Sequence, residues 1–456
     1  MSTETAVQSA RRVRSVPMHR AVPGMVREPA AALAEFAQEA GGEIVRLGLG
    51  PFRPYLVTHP DHVQHVLRGD WTNYRREGMF WRPLERFVGT GIFGEGESWE
   101  DSRKILQPLF TTRYVATLAE EMARAVTARV GELDEHARTG RPVDAAEAMT
   151  GIVNHAVVSV LFGDKIARED SERLTPAYET ANASIKFRLL MPFMPYFVRL
   201  PGDRALVGAA KAVDDIVFPL IQRARANPDD SFDVISVLCR SRGDGDDRRI
   251  RDDLVGVYGA ASETTAMTLT WLWCMLDAHP EVAAKVNDEI AQVVGDGPVT
   301  PAHVPRLSYT RMVLQEVLRL YPAGWITSRT VMRTAEVGGV QIKAGSQILI
   351  SPYATHRLEG FWERPLEFNP ERFVPEKHKH RNKYSYFPFG AGPHQCLGQH
   401  LFYVQAPLMV AAVLSRFRVS VCAPGPFVSD KAATLRPARR IELSLARVGR
   451  APGQTR

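Results

Sequence analysis

The sequence predicts a mainly α-helical fold with small β-sheets, in one large domain with a long central helix. Helical hydrophobic patterns fill the chain from about residue 60 to residue 322, and short β-patterned segments lie on both sides of them. One helix of about 40 Å is predicted from residue 250 to residue 279. The 456 residues, 45% of them hydrophobic and 24% charged, allow a large core and exclude a disordered chain.

The elements are predicted in a simple order. Two short strands come first, followed by the helical region, three strands, an irregular segment rich in proline and aromatic residues, one helix and two strands. The predicted strands are 43–49, 53–58, 330–334, 336–342, 347–351, 418–422 and 440–446, and the last helix is 397–417. Strands near both ends of the chain can pair with one another, which favours a single domain.

The long helix has an unusual centre. Its second half, residues 268–276, is apolar nearly all round, which predicts that it is buried. Its middle nevertheless contains Gly259, Glu263 and Thr264, which are poor residues for a buried helix centre. Taken alone, this pattern indicates a kink with Glu263 at the surface.

The basic charge of the chain lies at its two ends. The net charge is +6, and residues 1–27 carry five arginines against one glutamate while residues 436–456 carry six against one. The remainder is slightly acidic, which argues against a nucleic-acid-binding protein. We therefore predict a flexible basic arm at 1–27, one domain at 28–446 and a flexible basic tail at 447–456.

Several protein classes are excluded by what the sequence lacks. Four scattered cysteines with no Cys-x-x-Cys pair give neither a disulfide framework nor a zinc ribbon. A zinc enzyme would need a ligand cluster, and a hydrolase would need a Gly-x-Ser-x-Gly elbow. The sequence shows no secretory signal and no run of about 18 apolar residues. These observations predict a soluble, cytoplasmic protein without a stable membrane anchor.

One cysteine lies in a segment that favours metal chemistry. Residues 389–398 read Phe-Gly-Ala-Gly-Pro-His-Gln-Cys-Leu-Gly and precede the last predicted helix. The glycines allow the close approach of a flat partner, and the N-terminus of a helix favours the thiolate of Cys396. Such a thiolate is a good metal ligand, although a single cysteine is more commonly an inert, buried residue.

This segment resembles the haem-binding signature of the cytochromes P450, Phe-x-x-Gly-x-Arg/His-x-Cys-x-Gly. The five defined positions are occupied by Phe389, Gly392, His394, Cys396 and Gly398. The resemblance implies the cytochrome P450 fold, with the long helix crossing the haem. It also implies haem b as the cofactor, with the thiolate of Cys396 as the axial iron ligand, a ligation that favours O–O cleavage.

The centre of the long helix is explained by the same resemblance. Residues 260–265 resemble the oxygen-activation motif Ala/Gly-Gly-x-Asp/Glu-Thr-Thr, with Ala260 beside the haem and Ala261 where the family usually has glycine. The resemblance assigns Thr264 to stabilising the reduced oxygen species at the iron and Glu263 to supplying protons.

Two further motifs follow the family's order. Residues 316–319 resemble Glu-x-x-Arg and residues 370–373 resemble Pro-Glu-Arg-Phe, so Glu316, Arg319 and Arg372 are implied to form a structural lock. A lone Glu–Arg pair at this spacing would otherwise be an ordinary surface ion pair.

The haem propionates require cationic or N–H partners. Trp99 and Arg103 lie one turn apart on a helix that a capping box at residues 98–101 is predicted to open. They resemble the family's Trp-x-x-x-Arg, which implies that both bind propionate. Arg329 and His394 match two further propionate positions; without the other motifs, a core tryptophan and a surface arginine would explain the first pair.

The resemblance places substrate contacts in four stretches, 74–87, 187–197, 323–327 and 432–435. The candidate pocket residues are Phe80, Trp81, Phe87, Leu190, Phe193, Trp325, Ile326 and Thr434. Plain core packing would produce the same apolar pattern. Since no charged pair stands out as a ligand clamp, we predict a medium-sized apolar substrate: a terpenoid, steroid, polyketide or fatty acid, with a terpenoid weakly favoured.

The leading hypothesis is a soluble, monomeric, bacterial-type haem-thiolate monooxygenase that inserts one atom of O2 into such a metabolite. The chain contains no flavin or ferredoxin domain, so electrons must come from a separate ferredoxin or flavodoxin with its reductase. The basic segment 377–383 is a candidate docking site for that acidic partner.

Two alternatives stay open. One is a P450 with a different oxidative outcome, such as ring closure, carbon–carbon or carbon–oxygen coupling, desaturation or nitration. The other is a non-catalytic haem sensor or carrier, against which Glu263 and Thr264 argue because a sensor needs no proton relay.

Overall fold

Helices make up most of the fold, as the hydrophobic periodicity predicts. The computed structural model describes residues 13–190, 194–243, 245–430 and 434–449. Within them the α-helices are α1 (Met18–Arg27), α2 (Pro29–Glu39), α3 (Pro60–Gln64), α4 (Arg82–Val88), α5 (Glu97–Leu106), α6 (Thr112–Gly131), α7 (Asp134–Thr139), α8 (Ala145–Phe162), α9 (Arg168–Leu190), α10 (Asp203–Ala226), α11 (Val234–Ser241), α12 (Asp247–Ala278), α13 (Pro280–Val294), α14 (Ser308–Leu320), α15 (Pro352–Thr355), α16 (Pro375–His378) and α17 (Gln399–Leu414).

The strands are short. They are β1 (Arg14–Val16), β2 (Val45–Leu47), β3 (Tyr55–Val57), β4 (Tyr74–Arg75), β5 (Val143–Asp144), β6 (Thr327–Val331), β7 (Ala335–Val337), β8 (Val340–Ile342), β9 (Gln347–Ile350), β10 (Phe417–Val421) and β11 (Glu442–Arg447). The chain folds into two compact units. The first comprises Met1–Gly78, Gly324–Glu367 and Lys379–Gln395, and the second comprises Met79–Ala323, Phe368–His378 and Cys396–Arg456.

The first unit is built on a six-stranded sheet with the order β1-β2-β3-β9-β6-β4. β1 pairs with β2 and β3 with β9 in parallel, and the other pairs are antiparallel. The early strands therefore pair with strands from the later part of the chain, as predicted. The segment predicted as one strand at 336–342 is a hairpin of β7 and β8, because Gly338 and Gly339 take positive φ values of 56° and 77° and reverse the chain.

The N-terminal residues that the structure describes are folded rather than a flexible arm. β1 adds to the edge of the sheet and Ala21 of α1 is buried. Arg14 and Arg20, two of the five arginines that suggested an arm, both form ion pairs with Glu39 of α2. Residues 1–12 of the predicted arm and residues 450–456 of the predicted tail lie outside the described residues.

The second unit is organised around α12. This helix spans 32 residues and ends just before Pro280, which confirms the predicted long helix. Its flanks are buried against α8, α10 and α14. The strands β10, β11 and β5 form a separate antiparallel sheet, so the last two strands pair with each other and with a mid-chain strand rather than with the first strands.

One described helix, α8, is long and apolar enough to cross a membrane. Its 18 residues meet that criterion by length and composition alone, and 61% of them are buried inside the fold. The buried core helix of a globular domain meets the same criterion. The feature is therefore explained by packing against α6 and α12.

Candidate active site

The candidate iron ligand lies just before α17. The helix begins at Gln399, two residues later than predicted, because Leu397 and Gly398 form a turn and Gly398 is the N-cap residue. The side chain of Cys396 is exposed. Within the described residues, no group of three or more His, Cys, Asp or Glu side chains is placed to hold a metal ion.

The surroundings of Cys396 act on its thiol in opposite directions. Desolvation by the nearby protein atoms raises the pKa of Cys396 above its ordinary value, and the backbone N–H of Gly398 and the guanidinium of Arg103 offset only part of that rise. Both opposing groups favour the thiolate over the thiol. The side chain of Cys396 is thus exposed, and two neighbouring groups stabilise its anion against the desolvation that favours the thiol.

The glycines of the loop differ in how strictly they are needed. Gly392, in the first unit, has a φ of 72°, and a Cβ there would lie 1.8 Å from the carbonyl oxygen of Leu67. Only glycine fits that position. A Cβ on Gly398, in the second unit, would lie 3.8 Å from the sulfur of Cys396, an ordinary contact. Gly392 is thus required by the backbone, whereas a Cβ at Gly398 would meet the sulfur only at an ordinary contact distance. Phe389 is half-buried in the same loop.

The centre of α12 is accessible, unlike the rest of the helix. Residues 250–258 and 265–276 are buried, whereas residues 259–264 are partly exposed apart from Ser262. Within this window the hydroxyl of Thr264 donates to the carbonyl oxygen of Ala260 at 2.6 Å. The motif residues are therefore the ones that a bound molecule could contact along this helix.

Glu263 does not lie at the surface, contrary to the interpretation of the helix pattern taken alone. Its side chain is 20% exposed, and its Oε1 lies 2.7 Å from Nη2 of Arg436. Asn182 of α9 donates to its other oxygen. Desolvation raises the pKa of Glu263, while Arg436, Thr434 and Asn182 oppose the increase. The carboxyl therefore holds a proton at higher pH than an exposed glutamate.

Arg436 and Asn182 are functional residues that the sequence did not predict. Arg436 lies 173 residues from Glu263 and belongs to no motif, and Asn182 lies 81 residues away on another helix. The only available signal was that a carboxylate in the middle of a buried helix requires a cation. The identity of that cation is decided by tertiary packing.

Trp99 and Arg103 lie on α5, but the predicted capping box is wrong. α5 begins at Glu97 with Gly96 as its N-cap residue, and the hydroxyl of Ser98 donates to the carbonyl of Thr90 instead of capping the helix. Trp99 is buried. The guanidinium of Arg103 donates to Gln107 at 2.6 Å; burial lowers the pKa of Arg103, and the thiolate of Cys396 raises it.

The remaining two propionate candidates belong to the first unit. Arg329 is buried in β6, where its Nη1 donates to the hydroxyl of Thr327 at 2.9 Å and to the carbonyl of Ser328 at 2.7 Å. His394 is half-buried, and its ring meets the ring of Trp71 edge to face with centroids 5.5 Å apart. Both side chains are thus held in defined orientations.

The three predicted lock residues lie together. Glu316 and Arg319 of α14 are fully buried and share two hydrogen bonds of 2.7 and 2.8 Å. Arg372 donates to the same carboxylate at 3.3 Å, and the backbone N–H of Asn369 donates at 2.8 Å. The cluster fastens segment 368–373 to α14.

Breaking this cluster is expected to destabilise the fold strongly. Arg319→Ala leaves the buried carboxylate of Glu316 without its main partner, which costs about 3–5 kcal/mol. Chemical denaturation followed by circular dichroism measures the difference. Lys211→Ala, which breaks an exposed ion pair with Asp215, is the control and is expected to cost less than about 1 kcal/mol. Equal losses in the two variants would contradict a buried lock.

Some of the predicted substrate residues are half-buried in the structure, and others are buried in the core. In the second unit, Phe80 and Trp81 are half-buried, but Phe87 is 2% exposed and packs against Tyr178 with ring centroids 5.0 Å apart. Phe87 is therefore a core residue, because its position in α4 faces α9. Thr434 is buried beside Glu263.

In the first unit, Trp325 is also buried, so its side chain packs in the core, while Ile326 is half-buried. Phe193 and the side chain of Leu190 lie outside the described residues. The accessible apolar candidates are therefore Phe80, Trp81 and Ile326.

Comparison with known proteins places these features in context. The family profile "Cytochrome P450" matches residues 21–445. "Cyclooctatin synthase" of Streptomyces melanosporofaciens is 32% identical over 411 residues, covering 87% of this chain and 86% of that protein. "Cyclooctat-9-en-7-ol 5-monooxygenase" of the same organism is 31% identical over 411 residues, covering 89% and 88%. The crystal structure of the cytochrome P450DA heme domain matches with a TM-score of 0.85 and 21% identity, covering 96% of this chain and 98% of that one, which confirms the predicted fold.

Proposed function

Because this chain belongs to the cytochrome P450 family and is a P450 monooxygenase, we propose that the thiolate of Cys396 is the axial ligand of a haem b iron. Family membership itself implies haem iron, O2 and a redox partner. The observation that carries the proposal is the exposed thiol at the start of α17 with the Gly398 N–H and Arg103 beside it. When bound, the haem supplies the activation of O2.

The chain's own residues would hold the cofactor by its acidic groups. In the second unit, Arg103 and Trp99 are proposed to donate to haem propionate; burial lowers the pKa of Arg103, so an anionic partner would compensate its desolvation. In the first unit, Arg329 and His394 are proposed for the same role. Arg suits a carboxylate because its planar guanidinium can donate two parallel hydrogen bonds.

Glu263 and Thr264 are proposed to hold and pass the protons that the reaction consumes. Burial lets the carboxyl of Glu263 keep a proton at higher pH than usual. The hydroxyl of Thr264 donates to Ala260, so its lone pairs face away from the helix backbone and can accept a proton or a hydrogen bond. A reaction without proton supply would not need these groups in an accessible strip of α12.

We further propose that the substrate is a cyclic terpenoid. Two relatives are named for cyclooctatin synthesis and for oxygenation of cyclooctat-9-en-7-ol, and such relatives modify terpenoids. In the second unit the half-buried side chains of Phe80 and Trp81 are proposed to supply apolar contact without a charged clamp, and in the first unit Ile326 is proposed for the same role. Insertion of one oxygen atom is favoured over ring closure or coupling by the monooxygenase named among the relatives.

The decisive experiment supplies electrons to the haem-loaded protein and measures whether an oxygen atom from O2 enters the product. The haem-loaded protein is incubated with cyclooctat-9-en-7-ol and other cyclic terpenes, a ferredoxin, its reductase, NADPH and 18O2. We expect products heavier by one 18O atom. Products that gain no oxygen would favour desaturation or coupling, and turnover of fatty acids or steroids but of no terpene would contradict the substrate class.

We also propose that the electron donor is an acidic ferredoxin or flavodoxin and that it docks on the basic segment 377–383. Lys377, Lys379 and Lys383 are exposed there. Such an encounter is electrostatically steered, so the rate of haem reduction should fall as ionic strength rises. A rate independent of salt would contradict this docking surface.

We expect the enzyme to work in the cytoplasm, which fractionation of the producing cells would test.

A further inference from the structure

We propose that Asp252 and Asp253, two buried carboxylates near the start of α12, position segment 87–92 and so set the preceding residues Phe80 and Trp81, which are proposed to contact the substrate. Neither aspartate belongs to a family motif quoted above. The inference rests on the proposed function in one respect, the assignment of Phe80 and Trp81 to the substrate. Asp252 and Asp253 are positioning residues, since they contact the segment and not the substrate.

Asp253 binds the segment through its backbone. Its Oδ1 accepts the N–H of Ile92 at 2.8 Å, and its Oδ2 accepts the hydroxyl of Ser102 and the guanidinium of Arg242, both at 2.9 Å. Its side chain is fully buried. One carboxylate therefore ties together α12, the segment and α5, the helix that carries Arg103.

Asp252 repeats the arrangement two residues earlier in the segment. Its Oδ2 accepts the N–H of Thr90 at 3.1 Å. Its Oδ1 lies 3.1 Å from Nη1 of Arg251 and 3.3 Å from Nε of Arg248. Arg251 in turn donates to the carbonyl of Phe87 at 2.8 Å. Three backbone groups of the segment, at residues 87, 90 and 92, are thus held by three consecutive residues of one helix.

Glycines in the segment make this close approach possible. A Cβ on Gly89 would lie 1.9 Å from the carboxyl carbon of Asp252. A Cβ on Gly91 would lie 2.3 Å from Oδ1 of Asp253 and 3.1 Å from its backbone nitrogen. Gly89 and Gly91 therefore leave the space that the carboxylates of Asp252 and Asp253 occupy.

The location of the contacts indicates positioning rather than stability alone. Burying two adjacent carboxylates is costly, and desolvation raises the pKa of Asp253 despite its partners. Apolar packing could hold this segment at a lower cost. What hydrogen bonds to these backbone groups add is a fixed register of residues 87–92 against α12, and the position of the preceding residue Trp81 follows from that register.

The first test measures whether the aspartates hold the segment. Asp253→Asn loses the ion pair with Arg242, and Gly91→Ala disturbs the same contact from the other side. In both variants we expect hydrogen exchange in peptides covering residues 86–96 to accelerate by about tenfold or more, since a hydrogen bond to a charged group is lost. Asp215→Asn, in an exposed ion pair of α10, is the control and should leave this exchange unchanged. Unchanged exchange in both test variants would overturn the proposal.

The second test measures the effect on ligand binding. Haem-loaded variants are titrated with clotrimazole, a bulky apolar azole, and with imidazole, both followed by the spectral shift on iron binding. We expect the Kd of clotrimazole to rise about tenfold and that of imidazole to stay within about twofold, because only the larger probe contacts the segment. Double substitution should be less than additive, because both changes remove one contact.

A purely structural role predicts a different result. In that case the melting temperature falls but the ratio of the two dissociation constants stays at the wild-type value, which would refute positioning. If Asp253→Asn does not fold, Gly91→Ala carries both measurements. A wild-type chain that binds neither haem nor imidazole would refute the proposed haem site, whereas the exchange data would still decide whether the aspartates hold segment 87–92.

Discussion

Replacing Cys396 by serine is expected to abolish monooxygenase turnover, with a loss of at least about 10³-fold, or about 4 kcal/mol of transition-state stabilisation. A serine hydroxyl is a far weaker ligand than the thiolate that Gly398 and Arg103 favour here, and it cannot donate electron density to the iron in the same way. The reduced, CO-treated protein should lose the red-shifted Soret band that marks thiolate ligation. Absorbance difference spectroscopy checks this directly.

Cys422→Ser is the matched control, because Cys422 is the other exposed cysteine among those described. It should keep both the spectrum and the turnover of the wild type. If Cys396→Ser also keeps the thiolate spectrum, another residue binds the iron and the assignment of the cysteine loop fails. A chain that binds no haem in either form would remove the basis of the proposed function.

The second large effect concerns proton supply. Thr264→Ala and Glu263→Gln are each expected to lower product formation by about 10²-fold while NADPH oxidation continues, because electrons then leave as reduced oxygen species. The ratio of product to NADPH measures this uncoupling. Thr268→Ala is the control: its hydroxyl donates to the carbonyl of Thr264 in the same way, but the residue is buried and outside the accessible strip. Full coupling in Thr264→Ala would contradict the role proposed for Thr264, whereas a wild-type chain that consumes no NADPH and forms no product would favour a sensor or carrier.

The pH dependence follows from the direction of the pKa of Glu263. Desolvation raises this pKa, so the carboxyl loses its proton, and the proposed donor is lost, as pH rises through the raised value. Wild-type turnover should therefore fall on the alkaline side, and this limb should be absent in Glu263→Gln. Arg436→Ala removes a cation that lowers the pKa, so it should move the limb to higher pH. A limb that stays in place would show that Arg436 does not act on Glu263.

What the sequence could predict depended on spacing along the chain. Cys396, Thr264 and the Glu316–Arg319 pair lie in short motifs, and the long helix shows its length in its hydrophobic pattern. Arg436 could not be predicted, because it reaches Glu263 across 173 residues and only the packed chain selects it among the basic residues.

Other predictions were wrong because a local contact in the folded chain differs from the one that the sequence pattern suggests. Ser98 was predicted to cap a helix, but its hydroxyl donates a hydrogen bond to the carbonyl oxygen of Thr90 instead. Phe87 looked like a pocket residue, because a pattern of aromatic residues does not distinguish a side chain facing a ligand from one facing Tyr178. The Gly338-Gly339 pair is typical of a hairpin turn, although residues 336–342 were predicted to form one strand.

The pairing of β1 with β2 matters for anyone who shortens or fuses this protein. β1 covers one side of β2 from Arg14 to Val16, and removal of residues before 28 would leave β2 with unpaired N–H and C=O groups. A bare strand of this kind recruits strands from neighbouring molecules and promotes aggregation during expression. Truncations should therefore end ahead of Val13, and affinity tags or reductase domains should be fused there. At that point β1 still pairs with β2 and covers the edge of the sheet.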